Sequence, residues 1–265
     1  MASLQNVLWI GGPPGAGKTT VATRLARRHG LRWYGADTRT WVHRDRALRS
    51  GNAAAQRWEA LSREERWVKS TASEMLEMSL HADRGPMVID DLRALPESPL
   101  VVAEGSVLPA DRVVDRSRAV WLIPTPAFQR GVLADQGTEP GPTALYALLR
   151  ETIEREAQAH SLRTLTIDGS RDLAATVEEV EKLFRDAIAE GPRAETTAER
   201  RALLRDANTA IVAQVRGYYA RPWAKGDPDS VVREFLCECG EPACEATVGL
   251  PIRQAALTPV LAHRG

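Results

Sequence analysis

The apolar residues of this sequence fall into five short runs, each followed by a stretch with helical spacing. The runs cover residues 6–10, 31–34, 100–103, 119–123 and 164–167. Short apolar runs bounded by glycine or polar residues are typical of buried strands. Strands that alternate with helices are joined by crossover connections, which place them in parallel within one sheet. The pattern therefore predicts an α/β fold, with a parallel sheet of about five strands flanked by helices.

Several local signals mark where the predicted helices begin and end. Residues 19–29 form the first helix, because Gly30 stands where a C-terminal cap belongs. In a capping box, a hydroxyl residue is followed three positions later by Glu, and each side chain binds the other's backbone. Two such boxes mark later helix starts: Ser62 with Glu65, and Thr176 with Glu179. They predict one helix over 62–79 and another over 176–188, whose apolar side chains share one face.

Gly191-Pro192 interrupts the helical pattern and marks the predicted boundary between two parts of the chain. Residues 1–190 contain all the predicted strands and form the main domain. Residues 191–265, called the C-terminal module below, contain a predicted helix from Thr196 to about Tyr219 and a tail with three cysteines. This division gives a domain of ordinary size with a small helical and cysteine-bearing appendage.

The composition and charge balance disfavour several classes of function. The chain has 35 Lys and Arg residues against 35 Asp and Glu residues, with 43% hydrophobic and 26% charged residues. This is the composition of a soluble globular protein. The zero net charge disfavours a nucleic-acid coat or a polybasic membrane binder. No apolar run reaches the roughly 18 residues of a membrane span, and no secretory signal pattern opens the chain, so we expect a cytoplasmic protein.

A phosphate-binding motif lies between the first strand and the first helix. Gly12-Pro13-Pro14-Gly15-Ala16-Gly17-Lys18-Thr19 satisfies the pattern G-x-x-x-x-G-K-S/T, and Thr20 follows it. The glycines allow backbone N–H groups to wrap around a polyphosphate, and the following helix presents its positive N-terminal end to that anion. Lys18 would contact the β- and γ-phosphates, and the Thr19 hydroxyl is suited to Mg²⁺. Residues 12–20 therefore predict a nucleotide-binding site.

Two further features concern the nucleotide and its metal ion. The guanine-reading sequence Asn-Lys-x-Asp is absent from the chain, which favours ATP over GTP. Glu104 stands at the end of the third strand, where a carboxylate could order Mg²⁺ beside the phosphate loop. A strand-end carboxylate that faces solvent is the alternative. The other acidic pair, Asp90-Asp91, precedes Leu92 at a predicted helix start, so capping is its expected role.

The phosphate loop, the short chain and the strand-end Ala103-Glu104-Gly105 together resemble a known family. They look like the P-loop kinases of small molecules and nucleotides, which include nucleoside monophosphate kinases, shikimate kinase and chloramphenicol phosphotransferase. The resemblance covers roughly residues 5–190 and implies ATP-dependent phosphoryl transfer. These kinases carry an Asp just after the second strand, where Asp37 stands here. The resemblance implies that Asp37 orients or deprotonates the acceptor, although Asp37 could also cap the helix that follows.

The same resemblance implies a lid that carries Arg and a loop beside the adenine. The region 126–160 corresponds to the lid, and Arg130 is expected to stabilise the transferring phosphoryl group. Arg150 and Arg155 are alternatives, and both could equally be solvated helix residues. The stretch 131–142 contains no Arg, unlike lids that carry several. After the fifth strand, Asp168-Gly169-Ser170 resembles the adenine-side loop and could equally be an ordinary turn.

The acceptor is expected to bind in the segment 38–95, between the second and third strands. Arg residues there could clamp an anionic acceptor, and tryptophans could line a pocket for a ring. The alternative is that the tryptophans fill a small helical core. The residues predicted to contact the acceptor are Asp37, Arg39, Trp41, His43 and Arg44.

The tail places three cysteines within eight residues, which is too compact to hold the fold with disulfides. Cys237, Cys239 and Cys244 together with His263 could form a Cys₃His site for structural Zn²⁺. Free thiols, or one disulfide with a leftover thiol, are the alternatives. The Cys-Glu-Cys-Gly core resembles short cysteine-bearing endings of various actinobacterial proteins, a likeness that implies little about chemistry.

The leading hypothesis is an ATP-dependent, Mg²⁺-requiring kinase that phosphorylates a hydroxyl or phosphate of a small molecule, such as a nucleotide, an antibiotic or a natural product. A second hypothesis is an ATP-binding regulator that transfers no phosphoryl group and binds a protein partner through the C-terminal module. A third is a kinase acting on nucleic-acid ends, which the zero net charge disfavours and the Arg residues over 39–49 favour.

Overall fold

Five strands form one parallel sheet in the computed structural model, which describes residues 4–262. The strands are β1 (Val7–Gly11), β2 (Arg32–Gly35), β3 (Val101–Gly105), β4 (Ala119–Pro124) and β5 (Thr164–Ile167). Their order across the sheet is β2-β3-β1-β4-β5, and every neighbouring pair is parallel. The predicted five-stranded α/β fold is therefore confirmed, and each strand lies within about two residues of its predicted position.

Helices cover both faces of this sheet. In the main domain they are α1 (Lys18–His29), α2 (Thr40–Arg49), α3 (Ala53–Ala60), α4 (Ala72–Met78), α5 (His81–Ala94), α6 (Pro126–Asp135), α7 (Pro140–Ala159), α8 (Leu173–Leu183) and α9 (Arg185–Glu190). Trp9 and Trp121 lie in a core shared with α5 and α7, whereas Leu8 and Leu122 lie in a core shared with α1 and α8. Because successive strand residues face opposite cores, β1, β3 and β4 are buried along their whole length and read as continuous apolar runs.

The first predicted capping box forms, but the continuous helix predicted over 62–79 is wrong. Ser62 and Glu65 exchange both hydrogen bonds of the box. The segment that follows is a single π-helical turn, Glu65–Lys69, which ends where Ser70 becomes extended. Thr71 and Glu74 then form a second capping box, which begins α4. Two competing N-terminal caps nine residues apart thus divide one apolar pattern into two short elements.

The second predicted capping box is wrong, because α8 begins earlier. Asp172 is its N-cap and accepts a hydrogen bond from the backbone N–H of Ala175 at 2.8 Å. Thr176 therefore lies inside the helix, where its hydroxyl donates to the Asp172 carbonyl at 2.9 Å. The predicted apolar face is nevertheless buried, including Val177 and Phe184.

The C-terminal module adds a helix and a hairpin to the main domain. It contains α10 (Thr197–Tyr219), β6 (Val232–Leu236), β7 (Thr247–Pro251) and α11 (Ile252–Leu257). The predicted helix is confirmed, and the structure adds a capping box at Thr196, whereas the antiparallel pairing of β6 with β7 had no clear signal in the sequence. The backbone N–H of Ala194 donates to the Gly30 carbonyl at 2.8 Å, which joins the start of the module to the end of α1. The boundary at residue 191 stays a prediction.

A buried carboxylate ties α2 and α5 to β2. Asp90 and Asp91 lie inside α5, so their predicted role at a helix start is wrong. The Asp91 carboxylate accepts a hydrogen bond from the Tyr34 hydroxyl at 3.0 Å, lies 3.0 Å from His43 Nε2, and accepts from Arg46 Nη2 at 2.6 Å. Burial raises the pKa of Asp91, but these His43 and Arg46 contacts outweigh it and hold the pKa at about 2.

Asp91→Asn should lower the free energy of unfolding at pH 7 by about 3 kcal/mol, because it leaves buried cationic and polar groups without their charged partner. A carboxyl whose pKa is depressed on folding stabilises the native state above its unfolded pKa of about 3.8, and this contribution is lost as the pH falls towards 2. Urea unfolding at pH 7 and pH 5 should show the same loss. The exposed neighbour Asp90→Asn is the control, and equal effects of the two variants would contradict this role for Asp91.

Candidate nucleotide and acceptor sites

The phosphate loop connects β1 to α1 in a conformation that only glycine adopts readily. Gly15 and Gly17 have φ angles of 83° and 77°, in the left-handed region that side chains disfavour. At Gly12 a Cβ atom would lie 2.2 Å from the Leu122 carbonyl oxygen. The buried Lys18 side chain turns back into the loop, and its Nζ donates to the Pro13 carbonyl at 2.9 Å. The loop is therefore shaped as a backbone cradle with one cation inside it.

A cavity of about 400 Å³, called the nucleotide cavity below, opens over this loop. Seven of the nine predicted loop residues line it: Pro14, Gly15, Ala16, Gly17, Lys18, Thr19 and Thr20. Gly12 and Pro13 lie at the start of the loop and are absent from the lining. The cavity is within the usual size range of small-molecule sites.

The far wall of the nucleotide cavity comes from residues that the sequence did not single out. Phe128 on α6 and Leu173 on α8 supply apolar surface, and Arg171 adds a cation whose Nη2 donates to the Thr166 carbonyl at 2.8 Å. The predicted turn Asp168-Gly169-Ser170 is exposed and borders this wall without lining the cavity. Its Asp168 carboxylate accepts hydrogen bonds from the backbone and hydroxyl of Ser170. An apolar wall with one cation is suited to hold a nucleobase.

In the predicted lid region, Gln129 rather than Arg130 reaches the phosphate loop. Arg130 is exposed on α6 and does not line the nucleotide cavity. The buried Gln129 amide donates to the Pro14 carbonyl at 2.9 Å and to the Tyr146 carbonyl at 3.2 Å. Adjacent helix residues are turned by about 100°, so only one of the two can face the loop. The alternative Arg150 is paired with two glutamates on its own helix, α7.

Glu104 lies where β3 ends between β1 and β2, directly beside the phosphate loop. It is 1% exposed, and its Oε2 has no hydrogen-bond partner among the described residues. Burial and the nearby Asp37 carboxylate raise the pKa of Glu104 to about 7, although Lys18 and Thr19 oppose this shift. The solvent-facing alternative is therefore wrong. A buried carboxylate oxygen without a partner, beside a threonine hydroxyl, is a donor set that fits Mg²⁺.

Asp37 stands between two cavities. It lies in a short 3₁₀ turn, Ala36–Arg39, immediately after β2, and its backbone carbonyl accepts a hydrogen bond from Gln214 Nε2 of α10 at 3.0 Å. The cap positions of this turn and of α2 belong to Gly35 and Arg39, and neither start has a side-chain cap. Among the described residues, Asp37 and Pro14 line both the nucleotide cavity and a second cavity.

This second cavity, of about 430 Å³, is called the acceptor cavity below. Trp41 and Arg44 of α2 line it as predicted. Residues from outside the predicted segment complete it: Tyr146 of α7, and Tyr218 and Trp223 of the C-terminal module. Trp41 packs edge-on against Tyr218 and Trp223, with ring centroids 5.5 and 5.9 Å away. The tryptophans therefore line a cavity and pack together at the same time.

Two predicted acceptor residues do not line the acceptor cavity. His43 is completely buried, lies 3.0 Å from Asp91 and accepts at Nδ1 from the Nε of Arg84 at 3.2 Å. Burial lowers the pKa of His43, so it serves as a neutral link inside the protein. Arg39 lies 3.8 Å from Asp91 and is likewise outside the lining. On α2, residues 41 and 44 share one face by their spacing of three, and 43 faces elsewhere.

The three cysteines form a compact cluster in the C-terminal module. The Sγ atoms of Cys237, Cys239 and Cys244 lie within 4.8 Å of one another, and all three residues are unpaired thiols. The backbone N–H of Ala262 donates to Cys237 Sγ at 3.3 Å. Burial opposes ionisation of Cys237, but this bond and those from the other two thiols lower its pKa. His263, the predicted fourth zinc ligand, lies outside the described residues.

The sheet order, the phosphate loop and the cavity above it define a P-loop nucleotide-binding protein with a kinase-like α/β fold. Residues 8–118 match the family model of an AAA domain, a P-loop NTPase-like domain found in kinases. The match begins in β1 and ends just before β4, so it includes Lys18, Asp37 and Glu104. A comparison with curated proteins finds no match for the chain. Between residues 4 and 262, no helix combines the length and apolar character needed to cross a membrane.

Glu104→Gln should separate folding stability from metal-dependent nucleotide binding. Since burial disfavours the ionised carboxylate, the neutral amide should leave the thermal midpoint at pH 8 without Mg²⁺ unchanged or higher. If Glu104 holds Mg²⁺, the affinity for MgATP should fall about tenfold or more, because the variant lacks this hard oxygen ligand. Calorimetric titration with and without Mg²⁺ measures this, with the exposed Glu97→Gln as control. A less stable variant with unchanged Mg²⁺-dependent affinity would contradict the assignment.

Proposed function

We propose that this protein is an ATP-dependent phosphotransferase that acts on a hydroxyl or phosphate group of a small molecule. The observation that carries the proposal is the shared border of the two cavities, formed by Pro14 of the phosphate loop and Asp37. A transferase needs its donor and acceptor on either side of one reacting centre. An enzyme that only hydrolyses ATP needs no second cavity of this kind.

The nucleotide cavity supplies the groups that would hold ATP. The backbone N–H groups of residues 15–20 and the Lys18 ammonium would bind the phosphates, and Phe128 with Arg171 would hold the base. Thr19 and Glu104 would hold Mg²⁺, which neutralises charge on the phosphates when bound. Arg130 has no role in this arrangement, because it lies outside both cavities.

Asp37 would act on the acceptor. Its carboxylate would accept the proton of the attacking hydroxyl, or orient that hydroxyl, while a new O–P bond forms and ADP leaves. Buried Arg84 lies near enough for charge interaction with Asp37, and its Nη2 donates to the Ala36 carbonyl. Gln214 holds the Asp37 carbonyl from the other side. These contacts would fix the backbone of Asp37 and leave its side chain for the acceptor.

Asp37→Asn should reduce acceptor-dependent ADP release on the order of 1,000-fold, because the amide cannot accept the proton. The affinity for ATP should remain within about twofold, since no phosphate-binding group is changed. Lys18→Ala is the comparison and should lose ATP binding itself. A screen of nucleosides, nucleotides and antibiotics supplies the acceptor. Full turnover by Asp37→Asn would remove its role, and ATP hydrolysis that no acceptor stimulates would favour the ATP-binding regulator instead.

We also propose that the cysteine cluster binds structural Zn²⁺. Three thiols already lie at mutual distances that one ion can bridge. The Ala262 N–H donor to Cys237 Sγ favours the thiolate form that zinc requires at that ligand. The backbone carbonyls of Cys239 and Cys244 accept hydrogen bonds from Arg201 of α10 and Arg27 of α1. A bound ion would thus hold the tail against both helices. His263 is the proposed fourth ligand.

Purified protein should contain about one zinc ion per chain by elemental analysis. Cys237→Ser and Cys239→Ser should each lose the metal and lower the thermal midpoint, because these two ligands are buried in the module. His263→Ala should retain zinc with reduced affinity, measured by competition with a chromophoric chelator. Metal-free protein that keeps the wild-type midpoint and three freely titrating thiols would exclude the site.

A further inference from the structure

Arg44 places a buried positive charge at the wall of the acceptor cavity with two donors unused. The residue is 3% exposed and lines the cavity. Its Nη2 donates to the Met78 carbonyl at 2.8 Å, and its guanidinium carbon lies 4.6 Å from the centroid of the Trp58 ring. Neither Nε nor Nη1 has a hydrogen-bond partner among the described residues. Leaving charged donors buried and unpaired costs stability, so their retention points to a ligand.

The charges around Arg44 leave this cation incompletely neutralised. Arg66, Arg84 and Arg221 are buried close to it and add three further guanidinium groups. Arg221 approaches the carboxylates of Asp45 and Glu59, at 2.7 and 3.6 Å. Arg84 interacts with the carboxylates of Asp37 and Asp91. Burial lowers the pKa of Arg44 to about 10, which still leaves it charged at neutral pH. The charges that act on Arg44 are thus three further cations and one carboxylate, Glu59, which gives a local positive excess beside the cavity.

The remainder of the acceptor cavity is mainly apolar and aromatic. Four tryptophans line it, together with Tyr146, Tyr218 and two leucines. Rings of this kind pack on flat apolar groups and offer a polar edge only at the N–H or O–H. Asp37 lies at the border with the nucleotide cavity. The cavity thus combines two arginines in its lining, Arg44 and Arg84, with an apolar body and a carboxylate at the reacting border.

We propose that the acceptor is a ring-bearing small molecule with an anionic group, a carboxylate or a phosphate, that pairs with Arg44. Its ring lies among the tryptophans, and its phosphorylated group reaches Asp37. This inference rests on the phosphotransferase function proposed above and names the substrate class of the same site. A polycationic acceptor is disfavoured because Arg44 and Arg84 both line the cavity and would repel it.

Matched compounds test the charge requirement in the unaltered protein. Hydroxyl-bearing aromatic carboxylates are compared with their primary amides, and nucleoside monophosphates with their nucleosides, by acceptor-dependent ADP release. We expect the anionic member of a productive pair to have a kcat/KM at least tenfold higher, because only it pairs with the buried cation. The two pairs distinguish a carboxylate from a phosphate. Equal or higher kcat/KM for the uncharged members would overturn the proposal.

Variants of Arg44 test the residue itself. Arg44→Met keeps the length of the side chain without the charge and should raise KM for the anionic acceptor about 100-fold. Its effect on the uncharged partner compound and on ATP affinity should be small. Arg44→Lys keeps the charge and should retain part of the activity, which a purely structural role would not predict. Arg49→Met, an exposed position on the same helix, is the control. An equal loss on charged and uncharged acceptors would overturn the assignment.

Intrinsic tryptophan fluorescence separates this proposal from the phosphotransferase function. Because tryptophans line the cavity, binding of the same compounds is measurable without any turnover. Quenching by the anionic compounds, lost in Arg44→Met, would support the anion site even if no phosphoryl transfer occurred. Turnover restricted to uncharged or cationic acceptors would retain the phosphotransferase and reject the anion site. Absence of binding by every anionic compound would also reject it.

Discussion

The pairing of β3 between β1 and β2 determines where the polar groups of the two cavities lie. In this register Glu104 is opposite both Ile10 and Gly35. The carboxyl ends of three parallel strands therefore meet at one edge, which brings together the phosphate loop, the Glu104 carboxylate and the turn that carries Asp37. Moving β3 by one residue would turn the Glu104 side chain to the opposite face of the sheet.

The carboxyl edge of the sheet brings a cation and two carboxylates close together. Lys18 faces Glu104 from the loop, and Glu104 and Asp37 raise each other's energy when both are ionised. Such a pair is unfavourable for folding alone and favourable for holding a divalent cation and a proton acceptor close together. The apolar cores on both faces of the sheet offset the free-energy cost of holding these two carboxylates together. Folding stability therefore favours a neutral Glu104, whereas binding a divalent cation requires its ionised form.

Ring stacking, a hydrogen bond and an ion pair join the C-terminal module to the wall of the acceptor cavity. The guanidinium of Arg66 lies 5.1 Å from the ring centroid of Trp58 and 4.1 Å from that of Trp223. One cation is thus stacked between an indole of the main domain and an indole of the module. The Trp223 N–H donates to Glu59 at 2.7 Å, and Arg221 pairs with Asp45. The module is therefore part of the cavity wall rather than a separate appendage.

The sequence predicted those parts of the structure that depend on neighbouring residues. The phosphate loop and Asp37 follow predicted strands, and Glu104 stands at the end of one, so their positions were readable from the strand pattern. Tyr218 and Trp223 lie about 180 residues from Asp37 along the chain, and no local pattern brings them together. The positive charge of Arg130 favours it as a lid residue from sequence, but the helical phase of α6 leaves it exposed and turns Gln129 to the phosphate loop. The Thr176 box does not form because the earlier Asp172 is a stronger N-cap than Thr and begins the helix there.

The two hydrogen bonds of Gln129 give the molecule a mechanical property that neither cavity has alone. One amide nitrogen holds Pro14, at the floor of the nucleotide cavity, and Tyr146, at the wall of the acceptor cavity. Movement of either carbonyl strains the hydrogen bond from Gln129 to the other. The positions of the two cavity walls are therefore coupled. If loading one cavity moves its wall, it changes the affinity of the other, and thermodynamics requires the reverse effect to be equal. The affinities for the two ligands would then be coupled through the side chain of Gln129.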